Sequence, residues 1–257
     1  MKVKKSKLTK RIAMIIATAL LIFGLGFIGY FLYSFFNSLP YDKAAYQSAA
    51  ASQGYNVVER SNVIEVVPKP KTNSKNVGLI MYPGAFASPQ GYVPVLARLA
   101  QNGVSVFIVK EPLNFALLSS NGANGIIRSH PEITDWYLAG HSLGGVAACE
   151  YAKTSSAKLK GLVMLASFCS GSGAQLGLPV ISISATNDGL TDTKDVANSR
   201  DKLPPSTNFV IIDGGNHTQF GAFAKLQPGD RAAAISQEKQ AEQIFSAISQ
   251  FIAKYSY

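Results

Sequence analysis

The sequence predicts an α/β fold with a mainly parallel sheet covered by helices on both faces, preceded by one N-terminal transmembrane helix. From residue 77 onward, short and fully apolar runs alternate with helix-length segments, the pattern of parallel strands buried on both faces. Between Ile12 and Phe36 there is no charged residue over 25 positions. Of the 257 residues 47% are apolar and 15% charged, which excludes a disordered or low-complexity chain and leaves about 220 residues to build one sizeable core.

In chain order, Lys2, Lys4, Lys5, Lys7, Lys10 and Arg11 come first, in a segment with no acid. A helix over Ile12–Phe36 would be about 37 Å long, enough to cross a ~30 Å hydrocarbon core with some tilt. The stretch is longer than the ~7–15 apolar residues of a cleavable signal, and Asn37-Ser38-Leu39-Pro40 offers no A-x-A-like site after it. Because the first cysteine is Cys149, lipid attachment near the N-terminus is not expected. The segment reads as an uncleaved signal anchor. The expected organisation is a basic cytoplasmic tail over 1–11, a transmembrane anchor over 12–36, a juxtamembrane helix and linker over 37–54, and an α/β domain over 55–257. The basic flank would keep the N-terminus cytoplasmic and place that domain outside the cell, as a single-pass membrane protein. Tyr30 and Tyr33 sit where amphipathic rings favour the interface. Gly24, Gly26 and Gly29 spell G-x-G-x-x-G, but with no preceding strand and no polar surroundings they read as small residues of a membrane helix.

This segment also accounts for the charge. Of the formal +9, six charges lie in residues 1–11, leaving 18 basic against 15 acidic residues, a net of +3 for everything after. The excess is a topogenic signal, and no nucleic-acid partner is expected.

Asp42–Gln53 reads as a short helix capped by Asp42 and stopped by Gly54. Val57–Arg60 and Val63–Val67 form a hairpin turning at Ser61-Asn62. Strands follow at Val77–Tyr82, Val104–Val109, Trp136–Ala139, Leu162–Ala166, Val180–Ser184 and Phe209–Ile212. Helices are expected at Gly91–Gln101, Phe115–Arg128, Leu143–Lys153, Thr193–Lys202 and Ile235–Lys254.

Between the third of these strands and its helix lies Gly140-His141-Ser142-Leu143-Gly144-Gly145, a G-x-S-x-G nucleophile elbow. The Ser needs a strained turn there, and side chains two positions away would clash with strand and helix. Ser142 is therefore the candidate nucleophile. Among three histidines, His141 cannot fold back onto its neighbour's hydroxyl, and His130 precedes a strand and so lies at the wrong end of the sheet. His217 follows the last strand, at the carboxyl edge where open α/β sheets bind ligands, and is the candidate base. Asp188 is the first carboxylate after Val180–Ser184 and the candidate orienter, with Asp192 in reserve. For the oxyanion, backbone N–H groups of Leu143 and of Ala85, preferred over Phe86, are the candidate donors. No metal or organic cofactor is required by this set.

These residues, with Tyr82-Pro83-Gly84-Ala85, Val109-Lys110-Glu111-Pro112 and Gly214-Gly215-Asn216-His217-Thr218-Gln219-Phe220-Gly221, resemble the α/β-hydrolase superfamily. Within it they resemble a compact bacterial branch related to dienelactone hydrolases. The resemblance covers about residues 55–257 and implies an acyl-enzyme mechanism with Ser142 as nucleophile, Asp188 as orienter and His217 as base. Dienelactone hydrolases proper carry a cysteine nucleophile where this chain has Ser142, which argues against that substrate. Ser167–Leu178 is too short for a cap domain, so an open site is expected, suited to small or surface-bound esters. Phe220, Phe223 and Pro228, within Thr218–Ala232, are candidates for a pocket wall or, equally, for packing against the last helix. Lys110 and Glu111 read as a surface ion pair, and Cys149 and Cys169, at an expected separation of roughly 10 Å, as free thiols. A catalytically silent binding module and an acyltransferase to an envelope acceptor are the alternatives to an ester hydrolase.

Overall fold

The computed structural model describes residues 2–69, 76–116, 121–155, 157–191, 196 and 198–256, with side chains from residue 9 onward. It divides into two compact units, Met1–Ser38 and Leu39–Tyr257. The first is a single helix, α1 (Lys2–Phe36), whose segment Thr9–Phe36 contains an 18-residue stretch with a mean hydropathy of 2.5. Such a helix is long and apolar enough to span a bilayer.

The second unit is built on an eight-stranded sheet. Its strands are β1 (Tyr55–Glu59), β2 (Val63–Pro68), β3 (Val77–Tyr82), β4 (Val104–Val109), β5 (Asp135–His141), β6 (Leu159–Leu165), β7 (Val180–Ala185) and β8 (Asn208–Ile212). They lie in the order β1-β2-β4-β3-β5-β6-β7-β8. The β1–β2 hairpin is antiparallel, and β2 joins β4 antiparallel; every later pair is parallel. The central strands β3 and β4 are buried at every position, which their unbroken apolar runs anticipate.

Two layers cover the sheet. On one face lie α3 (Val93–Gln101) and α6 (Gln237–Tyr255), with α2 (Lys43–Ala50) packed on α3. On the other lie α4 (Gly122–Ser129) and α5 (Leu143–Thr154). The caps are the expected kind: Asp42 accepts from the N–H of Ala44 at 2.9 Å, and Ser236 opens α6 by accepting from Lys239 N–H at 3.2 Å. Of the helix expected over Phe115–Arg128, Gly122–Ser129 is helical and 117–120 lie outside the described residues; Phe115 itself is extended, following Leu113 and Asn114 in left-handed backbone conformations. Of the helix expected over Thr193–Lys202, residues 193–195 and 197 lie outside the described residues; Val196 and Asn198 are helical, and Arg200–Lys202 is a 3₁₀ turn.

The order of strands creates the site. From β3 the chain winds outward to β4, then crosses back to place β5 on the other side of β3. The carboxyl ends of β3 and β5 thus flank a topological switch point, where open α/β sheets leave a crevice for ligands. The connection from β6 to β7 contains no helix or strand, and the fold has no cap domain.

One expectation is overturned. Cys149 and Cys169 form a disulfide, with Cα atoms 5.6 Å apart. The chain after β6 does not stay at the sheet edge but runs down the side of α5. Ser167 Oγ donates to the carbonyl of Ser142 at 2.6 Å, and Ser170 Oγ donates to Glu150 at 2.8 Å, which carries Cys169 to the level of Cys149.

Candidate active site

Ser142 sits at the strand-to-helix turn between β5 and α5 with φ 52° and ψ −126°, a conformation that costs a non-glycine residue energy. Its neighbours explain how the turn is held. The Ser142 N–H donates to Leu165 O at 3.0 Å, and its own carbonyl takes the Ser167 hydroxyl. A Cβ on Gly140 would run into the backbone of Gly144 and Gly145, and one on Gly144 into the carbonyls of Tyr82 and Pro83. Both glycines of the G-x-S-x-G pattern are therefore required by backbone packed against backbone.

The predicted base and orienter meet. His217 Nδ1 lies 2.8 Å from Asp188 Oδ2, and both residues are buried. Asp188 Oδ1 accepts from the N–H groups of Leu190 at 2.8 Å and Thr191 at 2.7 Å, so the carboxylate has its partners fixed on both oxygens. In the tautomer that donates from Nδ1 to Asp188, Nε2 is the ring nitrogen left to accept a proton. That Nε2 is buried and has no hydrogen-bond partner among the described residues. The reserve candidate Asp192 lies outside the described residues. His130 lies at the amino end of β5, beside Glu132 and Phe107, as expected.

Three residues far from His217 in sequence hold its loop. Gln240 on α6 accepts from Asn216 N–H at 3.0 Å and donates to Asn216 O at 2.8 Å. Asp230 accepts from Gly189 N–H, from Thr218 N–H and from the Thr218 hydroxyl, at 2.9, 2.7 and 2.6 Å, tying the Asp188 and His217 loops together. Asn216 donates to Arg231 O at 2.6 Å and accepts from Gln219 N–H at 2.9 Å. Gln240 and Asp230 carried no signal in the sequence, because a hydrogen bond to a main-chain group leaves no spacing pattern.

The loop after β3 narrows the choice of oxyanion donor. Pro83 has no N–H, that of Gly84 donates to Tyr92 Oη at 2.9 Å, that of Phe86 to Asn114 O at 2.7 Å, and that of Ala87 to Gly84 O at 3.2 Å. Within 83–87 this leaves the Ala85 N–H free of an acceptor among the described residues. Leu143 is the first residue of α5, where an N–H has no intrahelical acceptor and lies at the positive end of the helix.

His141 has a role that its position beside Ser142 concealed. It is buried, with Nδ1 2.9 Å from Tyr92 Oη, its ring 4.4 Å from that of His217, and Phe220 stacked at 5.5 Å. Burial, followed by the neighbouring His217, holds its pKa well below the ordinary histidine value. With Gly84 N–H donating to Tyr92 Oη and Oη hydrogen-bonded to His141 Nδ1, a buried chain runs from the Gly84 amide through Tyr92 to His141. Phe220, proposed for a pocket wall, is thus core beneath the histidines; Phe223 packs edge-on against Tyr92 at 5.6 Å.

Lys110 and Glu111 do not pair. Lys110 Nζ reaches Arg60 O at 2.9 Å and Glu59 Oε2 at 3.5 Å, whereas Glu111 turns inward. Both Glu111 carboxyl oxygens are buried without a hydrogen-bond partner among the described residues, and burial raises its pKa to about 8. Successive residues of an extended chain point opposite ways, which separates the two charges that adjacency suggested were partners.

A sequence profile of the alpha/beta hydrolase family matches residues 78–242. No curated protein matches the chain in sequence. Among solved structures, an α/β serine hydrolase without a lid from Xanthomonas campestris superposes with a TM-score of 0.58 at 12% identity, covering 79% of this chain and 96% of that one. An esterase from Pyrococcus furiosus gives 0.58 at 12% identity, over 81% and 92%. A monoacylglycerol lipase from Paleococcus ferrophilus gives 0.57 at 12% identity, over 78% and 99%. At these identities the likeness is one of fold. The sheet and the absence of a cap are shared with these folds.

Proposed function

The chain belongs to the alpha/beta hydrolase family, and from that premise we propose that it is a membrane-anchored, outward-facing carboxylic-ester hydrolase acting through an acyl-enzyme on Ser142. The observation that carries the reading is the buried His217: Nδ1 is committed to Asp188, while Nε2 is left with a lone pair at the edge where Ser142 occupies its strained turn. The naming of structural neighbours as esterase and monoacylglycerol lipase supports an ester as substrate.

In the proposed reaction Ser142 Oγ attacks the carbonyl carbon while its proton passes to His217 Nε2. The resulting imidazolium is stabilised by Asp188. The carbonyl oxygen, now anionic, takes hydrogen bonds from the Leu143 and Ala85 N–H groups. Collapse breaks the ester C–O bond, and the leaving alkoxide takes the proton from His217. Water then attacks the acyl-enzyme with His217 again as base, releasing the acid and restoring Ser142.

The location rests on two supports. Six basic residues precede the apolar helix, which favours an N-terminus on the cytoplasmic side. The Cys149–Cys169 disulfide is of a kind that persists in oxidising compartments and is rare in the cytosol. The direct test is labelling of the full-length protein with a fluorophosphonate. We expect covalent modification that Ser142→Ala abolishes; absence of labelling in the folded parent protein would falsify the hydrolase reading.

A further inference from the structure

The chain enters its globular unit through the rim of the candidate active site. Leu39 N–H donates to Phe86 O at 2.7 Å, and Ser88 N–H donates to Leu39 O at 3.0 Å. Immediately after, Ala224 N–H donates to Pro40 O at 2.9 Å and Asp42 N–H to Ala222 O at 3.0 Å. Residues 39–42 therefore form a strap stitched on one side to the loop that carries Ala85, and on the other to the segment following His217. Leu39 is buried, so the strap belongs to the fold and is not a loose tether.

Only Asn37 and Ser38 separate this strap from the last residue of α1, Phe36. Three Cα–Cα steps of ~3.8 Å reach at most about 11 Å. That limit is covalent and holds for any orientation of the two units. With α1 spanning a bilayer as proposed above, the end of the apolar run at Phe36 would mark the hydrocarbon boundary, and a headgroup layer is about 5–8 Å deep on each side. The strap would then be held by its covalent reach near the bilayer surface.

The surface of that edge fits a lipid neighbour. In the globular unit, the exposed large apolar residues among those described are Val58, Leu113, Phe168, Leu190, Ile211 and Leu226. Val58 and Ile211 lie within strands and Phe168 on the segment that runs down α5, whereas Leu113, Leu190 and Leu226 lie on segments that follow the carboxyl ends of β4, β7 and β8. Single exposed apolar side chains are ordinary, and it is the three on loops of one edge that matter here. A cleft of about 450 Å³ adjoins the strap, with Asp42, Phe223, Lys225 and Leu226 among its lining residues.

We propose that the substrate is an ester group of a lipid resident in the bilayer, which the site takes from the membrane surface to which α1 ties it. This rests on the hydrolase and anchor readings above. The absence of a cap fits it, because a lipid that leaves its acyl chains in the bilayer needs no enclosed tunnel.

The test uses the full chain in phosphatidylcholine–phosphatidylglycerol vesicles that contain a fluorogenic diacyl lipid ester, beside a water-soluble aryl acetate. A rigid (EAAAK)4 spacer between Asn37 and Ser38 adds about 30 Å without touching the strap. We expect turnover of the aryl acetate and fluorophosphonate labelling to stay within twofold of the parent, and turnover of the bilayer ester to fall at least tenfold. A proline-rich spacer of equal reach replaces the helical one if that variant loses aryl acetate turnover. Equal turnover of the bilayer ester with and without the spacer overturns the inference, as does a parent protein that hydrolyses the aryl acetate and ignores the lipid. A parent protein that neither labels nor hydrolyses either ester fails at the hydrolase reading itself.

Discussion

Asp188 spends one carboxylate oxygen on two loop amides and the other on His217, so its loss removes a charge and also frees the histidine to turn. We expect Ser142→Ala to abolish labelling and to lower kcat/KM for an aryl ester by about 10⁴-fold or more, and Asp188→Asn to cost roughly 10³–10⁴-fold in kcat. Steady-state kinetics with circular dichroism as a folding control decides both. Glu111 makes a prediction of a different kind. Its folded pKa of about 8 lies above the ordinary 4.5, so the folded state holds a proton that the unfolded chain has already lost across that interval. Stability should be fully present below about pH 4.5 and decline toward pH 8, by at most about 1.4 kcal/mol per pH unit. Glu111→Gln keeps the shape without the titration. Thermal melts of the variant should lose this slope and exceed the parent in Tm near pH 8; parallel melting curves from pH 5 to 8 would sink the assignment.

At the scale of elements, the nucleophile elbow depends on how closely α5 approaches β3. A Cβ at Gly144 would lie 2.7 Å from the carbonyl carbon of Tyr82, closer still to the carbonyl oxygens, and neither backbone has room to yield. Gly144→Ala should therefore displace the start of α5 together with Ser142 and Leu143. We expect at least a hundredfold loss of labelling rate with little change in far-UV circular dichroism, and an unimpaired labelling rate would refute the account. The elbow and the sheet were legible because they are local. Unbroken apolar runs mark β3 and β4, and the two glycines around Ser142 report a tight turn wherever it lies. The ends of helices were less legible: Phe115, expected to open a helix, is extended, after Leu113 and Asn114 take left-handed conformations where Asn114 O accepts from Phe86 N–H of the β3 loop, a contact no helix propensity encodes.

Across the whole globular unit, the Cys149–Cys169 bridge closes a separation of 20 residues that includes β6 and joins α5 to the connection leading to β7. A loop of that length suggests about 3 kcal/mol of stabilisation by restriction of the unfolded chain. Replacing both cysteines by Ala, or adding a reductant, should lower the midpoint of thermal unfolding by several degrees while fluorophosphonate labelling of the folded protein persists. No shift in midpoint would show that the bridge is dispensable. Reading along the chain was enough for the apolar helix and the succession of strands, because periodicity and strand ends report direction and order; it also named Asp188 and His217, which meet. Tertiary structure alone decided that Glu111 turns inward away from Lys110, that His141 joins Tyr92 and Gly84, that Gln240 and Asp230 hold the His217 loop, and that the strap at 39–42 borders the site. Each of these is a distance between segments separated by at least one turn of backbone whose direction no local pattern encodes, and packing of the loops against one another sets it.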